Sequence, residues 1–136
     1  MAYWLLKTEP QEYSWQDLEQ NGHTVWNGVK SPQALKYLRT MQPGDEALIY
    51  HTGKERQIVG VAQIITLPYP DPKLEDSKLV VMEIQPRRSL TKPVTLAQIK
   101  QSAEFTGFDL IRLPRLSVVP VSAEYWQRIL QLSFSE

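Results

Sequence analysis

Apolar positions along this chain fall in short runs cut by proline, glycine and asparagine, and the spacing inside each run predicts its element. Residues 2–8 alternate, with Trp4 and Leu6 on one face and Tyr3, Leu5 and Lys7 on the other, the period of a strand; Pro10 ends it. Ser14-Trp15-Gln16-Asp17 is an N-cap followed by a carboxylate three positions on, opening a short helix that stops near Asn21-Gly22. Ser31 caps a second helix, with Pro32 at the first position, where its missing N–H does no harm. Ala34, Leu38 and Met41 share one face of that helix, and Lys36 and Arg39 point elsewhere.

Pro43-Gly44-Asp45 breaks this helix and feeds a strand over 47–51, and a polar connection at 52–56 returns the chain through 58–67 as a hairpin. Gly60 inside that run predicts a bulge or a close approach. Tyr69-Pro70-Asp71-Pro72 reads as a loop, because neither proline can donate to a ladder. A further strand at 79–84 is left at Pro86-Arg87-Arg88, Thr95–Gln98 forms a capping box, and 116–121 is the last strand. Ser122 then caps a terminal helix striped by Trp126, Ile129 and Leu130. Strands joined this tightly, with three or four short helices between them, predict an α+β fold with a mostly antiparallel, curled or closed sheet, a single domain over 1–136.

Charge changes the picture. Lys plus Arg and Asp plus Glu number 15 each, for a net charge of zero, whereas a general polyanion binder is usually basic. Any nucleic-acid contact must therefore come from a pocket and a local patch. There is no cysteine, which excludes a disulfide scaffold and thiolate chemistry and is compatible with a reducing compartment. No basic segment leads into an apolar one at the start, and no apolar run approaches the roughly 20 residues of a membrane span. The expectation is a soluble, cytoplasmic protein without a membrane partner.

Candidate chemistry is sparse. The two histidines, His23 and His51, have no partner at metal-ligand spacing, and no phosphate loop or nucleophile elbow occurs, so neither metal nor cofactor is expected. Lys7 and Glu9 project to one side of the first strand, as an acid–base pair or a plain surface ion pair. The aromatics beside turns are the stronger signal: Tyr13, Trp15, Trp26, Tyr50 and Tyr69. Trp26, in Trp-Asn-Gly, reads as a loop aromatic that must either pack against its own domain or meet a ligand.

Five words in order carry a resemblance: Tyr3-Trp4-Leu5-Leu6-Lys7-Thr8-Glu9-Pro10, Tyr13-Ser14-Trp15-Gln16-Asp17-Leu18, Trp26-Asn27-Gly28-Val29-Lys30, Tyr69-Pro70-Asp71 and Arg115-Leu116-Ser117-Val118-Val119-Pro120-Val121. Together they resemble the EVE domain family over nearly the whole chain. The resemblance implies a PUA-like fold, a small β-barrel flanked by helices, with a pocket for a modified base in DNA or RNA. The YTH domain, a reader of methylated adenine, is a more distant cousin, similar at Leu5-Leu6-Lys7 and Val25-Trp26. Trp26 becomes the best cage candidate, Asn27 a reader of a base edge, and Lys7 a polar contact. Tyr3, Glu9, Gly28, Val29, Tyr50, Tyr69 and Arg115 complete the expected ligand set. Lys30, Lys36, Arg39, Arg87 and Arg88 are the expected phosphate contacts. Ser31-Pro32 and Leu79 stand where members often carry aromatics, so either Tyr69 or Tyr50 replaces the missing wall or the pocket is shallower and less selective.

The leading expectation is a monomeric, non-enzymatic module that recognises a modified nucleobase, working beside a separate effector. A hydrolase of modified nucleosides is the rival, because the related ASCH domains include enzymes relying on Thr, Lys and Glu, types that Thr8, Lys7 and Glu9 offer in another arrangement. A protein-interaction module with a vestigial pocket is the third reading.

Overall fold

The computed structural model describes residues 1–134; the last two positions of the expected domain lie outside the described residues. The chain runs β1 (Tyr3–Thr8), α1 (Trp15–Asn21), β2 (Thr24–Trp26), α2 (Pro32–Leu38), β3 (Glu46–His51), β4 (Gln57–Ile64), β5 (Tyr69–Pro70) and β6 (Val80–Thr95). It continues through α3 (Leu96–Gln101), a 3-10 turn (Ala103–Phe105), α4 (Asp109–Arg112), β7 (Val118–Val121) and α5 (Ala123–Phe134). The expected caps form: Ser14 and Asp17 close a capping box on α1, Thr95 and Gln98 another on α3, and Ser31 Oγ accepts from the Ala34 N–H with Pro32 opening α2.

The sheet order is β2-β6-β4-β3-β1-β7, with β5 paired to β6. All pairings are antiparallel except β1 with β3, which the crossover through α1, β2 and α2 is long enough to permit. The sheet curls, because α2 packs on both β7, at one end of the order, and β6, near the other. It does not close. The strands β2 and β7 are the edges of the order, so the architecture is a half-barrel, the curled form of the mostly antiparallel α+β sheet expected. The strand β1 lies inside it with Trp4, Leu5 and Leu6 all buried, and α5 sets Trp126 on Tyr3, ring centroids 4.4 Å apart. One buried carboxylate anchors this end: Asp45 accepts from the Ala2 N–H, the Trp4 indole N–H and the Gln42 N–H.

Four local expectations are corrected. Trp26 is not in a loop; it ends β2, opposite Met82, and is 8% exposed. Tyr69-Pro70 is a two-residue edge strand, a place where proline's missing donor is tolerated. β6 does not end at Pro86, because the register slips between Val61 and Ala62, and this bulge accommodates the proline. The helices number five, besides the 3-10 turn, among the described residues. Gly60 combines both of its expected reasons: a register shift lies beside it, and a Cβ there would stand 2.5 Å from Trp15 Cε2.

Candidate nucleobase site

The unclosed side of the half-barrel is where the expected residues gather. A cavity of about 500 Å³ opens between β2 and the end of β1, floored by Ser117 just before β7. That volume lies within the usual range for small-ligand pockets. Six of the ten expected ligand residues line it: Lys7, Glu9, Trp26, Asn27, Gly28 and Val29. The turn after β2 makes this possible, since Gly28 adopts φ +80° and so swings Asn27 and Val29 around the cavity rim; a Cβ at Gly28 would meet nothing, so conformation alone favours glycine.

Trp26 joins the core and the wall. Its ring meets that of Tyr13 edge-on, centroids 6.5 Å apart at 83°, and Tyr13 lines the same cavity. Tyr13, not Tyr69 or Tyr50, is therefore the second aromatic. The Tyr13 hydroxyl in turn accepts from Asn21 Nδ2 at 2.9 Å. Lys7 reaches across to donate to the Pro114 carbonyl at 2.8 Å, with its ammonium 5.9 Å from the centre of the Tyr50 ring, and burial holds its pKa below the ordinary lysine value. The expected Lys7–Glu9 ion pair does not form. Glu9 accepts instead from the Gln11 N–H and the Thr52 hydroxyl, each at 3.3 Å. The Thr8 hydroxyl is committed to the Tyr13 carbonyl at 2.7 Å, which ties β1 to the turn before α1.

The remaining expected residues lie elsewhere. Tyr3 stacks on Trp126, and Tyr69 donates to Glu83 at 2.9 Å. Arg115 lines a separate groove with Ser31 and Arg112, and Tyr50 faces a second cavity on the other side of Lys7. Among the expected phosphate contacts, Arg39 donates to the Lys78 carbonyl and Arg87 stands 3.9 Å from Glu46, while Lys30, Lys36 and Arg88 are exposed; none lines the base cavity. Sequence reasoning missed Thr8, Glu12, Thr24, Val25 and Ser117 as lining residues. Of these, Thr8 and Ser117 stand inside recognised words and Val25 beside Trp26, so they carried a signal; Glu12 and Thr24 carried none. A larger open groove of about 840 Å³ presents Glu9, Glu19 and Glu55 against Lys54, a balance that repels a polyanion. His51 is spent there structurally: Nε2 accepts from the Trp15 N–H and Nδ1 faces Glu55 Oε1, which places the ring proton on Nδ1.

The cavity can hold a flat polar ring. Indole and phenol supply apolar contact, Asn27 both donates and accepts, Lys7 donates, and the Glu9 and Glu12 carboxylates can accept from an exocyclic amine such as that of cytosine. The EVE domain profile matches residues 2–132. This chain belongs to the EVE domain family. Thymocyte nuclear protein 1 of Mus musculus is 32% identical to this EVE domain over 168 residues, 98% of the chain and 74% of that protein. The Rpa0253 protein of Rhodopseudomonas palustris, solved by NMR, superposes with a TM-score of 0.93 at 36% identity, over 100% of this chain and 97% of that one. The human THYN1 protein, crystallised in complex with 5-methylcytosine-containing DNA, matches at 0.85 and 29% identity, over 100% and 99%. An ASCH protein from Zymomonas mobilis, at 0.61 and 12% identity over 96% and 95%, shares the fold alone.

Proposed function

We propose that this EVE domain reads a modified base, a cytosine carrying a small 5-substituent, that leaves its stack and enters the cavity beside Trp26. The observation that carries the reading is the cavity itself: an indole and a phenol set with an amide, an ammonium and two carboxylates at the one side of the sheet that fails to close. The relative in complex with 5-methylcytosine DNA supports it, since its alignment spans this whole chain. Stacking supplies about 1–3 kcal/mol per base, and edge hydrogen bonds supply discrimination. Extruding a base costs a few kcal/mol, so a single strand is the preferred substrate. In this reading the domain acts as a cytoplasmic monomer beside a separate effector, on DNA or RNA. The commitment of the Thr8 hydroxyl to a backbone carbonyl favours binding over hydrolysis.

The test is equilibrium binding of single-stranded hexamers that differ only in a central cytosine or 5-methylcytosine, on the parent and on Asn27→Ala. The parent should prefer the methylated strand, and Asn27→Ala should narrow that preference more than it lowers overall affinity, because an edge contact is what distinguishes bases. Equal binding of both strands by the parent refutes the reader. Release of a modified product during incubation would replace it with the hydrolase.

A further inference from the structure

On the far side of Lys7 from the base cavity lies a second, smaller one of about 290 Å³, lined by Lys7, Tyr50, Thr52, Arg56 and Lys100 among others and by no carboxylate. In a chain whose charges balance at 15 and 15, three cations line this concavity, and the one carboxylate that reaches its lining, Glu9, accepts from the Thr52 hydroxyl, so the lining side chains leave a local positive excess. Arg56 and Lys100 make no side-chain hydrogen bond or ion pair among the described residues, and the Tyr50 hydroxyl has no partner there either, so two cations and a neutral donor stand unengaged. Arg56 is also the one non-glycine described residue in the left-handed region, at φ +46°, with its carbonyl accepting from the Leu96 N–H at 2.9 Å. Such a conformation is disfavoured for a residue with a Cβ and persists where the surroundings impose it; here it accompanies a guanidinium that lines the cavity.

We propose that this second cavity is a phosphate subsite, in which Arg56, Lys100 and Tyr50 hold the backbone phosphodiester attached to the nucleotide whose base occupies the first cavity. The inference rests on the base-reading proposal for the direction of the strand. Lys7 lines both cavities, so their occupants are neighbours, and the chemistry that joins a flat base to an adjacent anion is a nucleotide. Phosphate recognition thereby moves from Lys30, Lys36, Arg39, Arg87 and Arg88 to Arg56 and Lys100, which the sequence words did not single out. Burial raises the Tyr50 phenol above its ordinary range, with Arg56 pulling the other way, so the group stays a proton donor at neutral pH.

The probes are 5-methyl-2′-deoxycytidine, its 5′-monophosphate and a single-stranded hexamer with one central 5-methylcytosine. The proteins are the parent, Arg56→Gln/Lys100→Gln, and the equal-charge control Lys73→Gln/Lys78→Gln, whose side chains line neither cavity. Nucleoside affinity should be the same in all three proteins, and melting temperatures should agree because both subsite side chains are exposed. Hexamer binding should weaken about tenfold in the subsite variant alone, the loss expected for charge-assisted contacts, and its log–log salt dependence should be shallower by about 0.7 per phosphate lost. An unchanged hexamer affinity and salt slope in Arg56→Gln/Lys100→Gln overturns the subsite, even if the preference for methylated cytosine survives. Dependence of the monophosphate but not the hexamer on Arg56 and Lys100 overturns the phosphodiester assignment in favour of a free nucleotide. Loss of base preference with retained dependence of the hexamer on these two residues sinks the base reader and leaves the subsite standing.

Discussion

Trp26 is both wall and core, and truncating it should damage two properties by amounts that can be measured apart. The indole is 8% exposed, closes β2 against Met82 and meets Tyr13 edge-on. Trp26→Ala therefore removes a nearly buried large aromatic, a change of about 3–5 kcal/mol in stability that includes the Tyr13 contact. For a domain of this length that corresponds to a fall of roughly 10–20 °C in Tm. The parent reserve is of order 5–15 kcal/mol, so the variant stays folded in the cold. Binding of the 5-methylcytosine hexamer, measured at a temperature where circular dichroism shows the variant folded, should weaken by about 1–3 kcal/mol, roughly 5- to 150-fold. Trp26→Phe should recover part of both losses, since a smaller ring still stacks and still fills much of the site. A folded Trp26→Ala protein that binds the hexamer as tightly as the parent refutes the wall. A variant that melts with the parent refutes the packing.

Three further outcomes follow from the geometry. Gly60→Ala drives a Cβ to 2.5 Å from Trp15, whose backbone and indole N–H groups are held by His51 and Ser89, so the ring cannot simply yield; stability should fall by about 1–3 kcal/mol in urea, and an unchanged midpoint would refute the contact. Asp45→Ala strands the buried Trp4 indole N–H, with an expected loss of about 1–3 kcal/mol by thermal denaturation, and a loss near zero would remove Asp45 from its anchoring role. The Tyr50 phenol, raised above 10.0 chiefly by burial, contributes stability that is fully present below about pH 10 and lost as pH rises through its folded-state value. Lys7, depressed by burial, has the opposite sign, so the readout is the difference between parent and Tyr50→Phe: the variant should lose less stability in alkali, and identical curves would refute the burial of that hydroxyl.

The sequence by itself determined the local elements, because their causes are local. Caps at Ser14, Ser31 and Thr95, the alternation of β1 and the stripe of α5 are decided by residues within a turn or two of one another. It also carried half of the base cavity's lining, since Lys7, Glu9 and the run from Trp26 to Val29 stand in recognisable words. What tertiary structure decided is everything set by pairing across distance. Proline at 86 reads as a strand end until a bulge against β4 accommodates its missing donor. Trp26 reads as a loop residue until β6 supplies its ladder partner. Tyr13 becomes a wall, Tyr3 a support for Trp126, and Lys7 a strut to Pro114 only once the sheet curls and stops short of closure. Arg56 and Lys100, 44 positions apart, share a cavity because the β6 strand returns the chain beside the hairpin end, with Leu96 bonded to the Arg56 carbonyl; no periodicity or motif in either segment encodes that meeting.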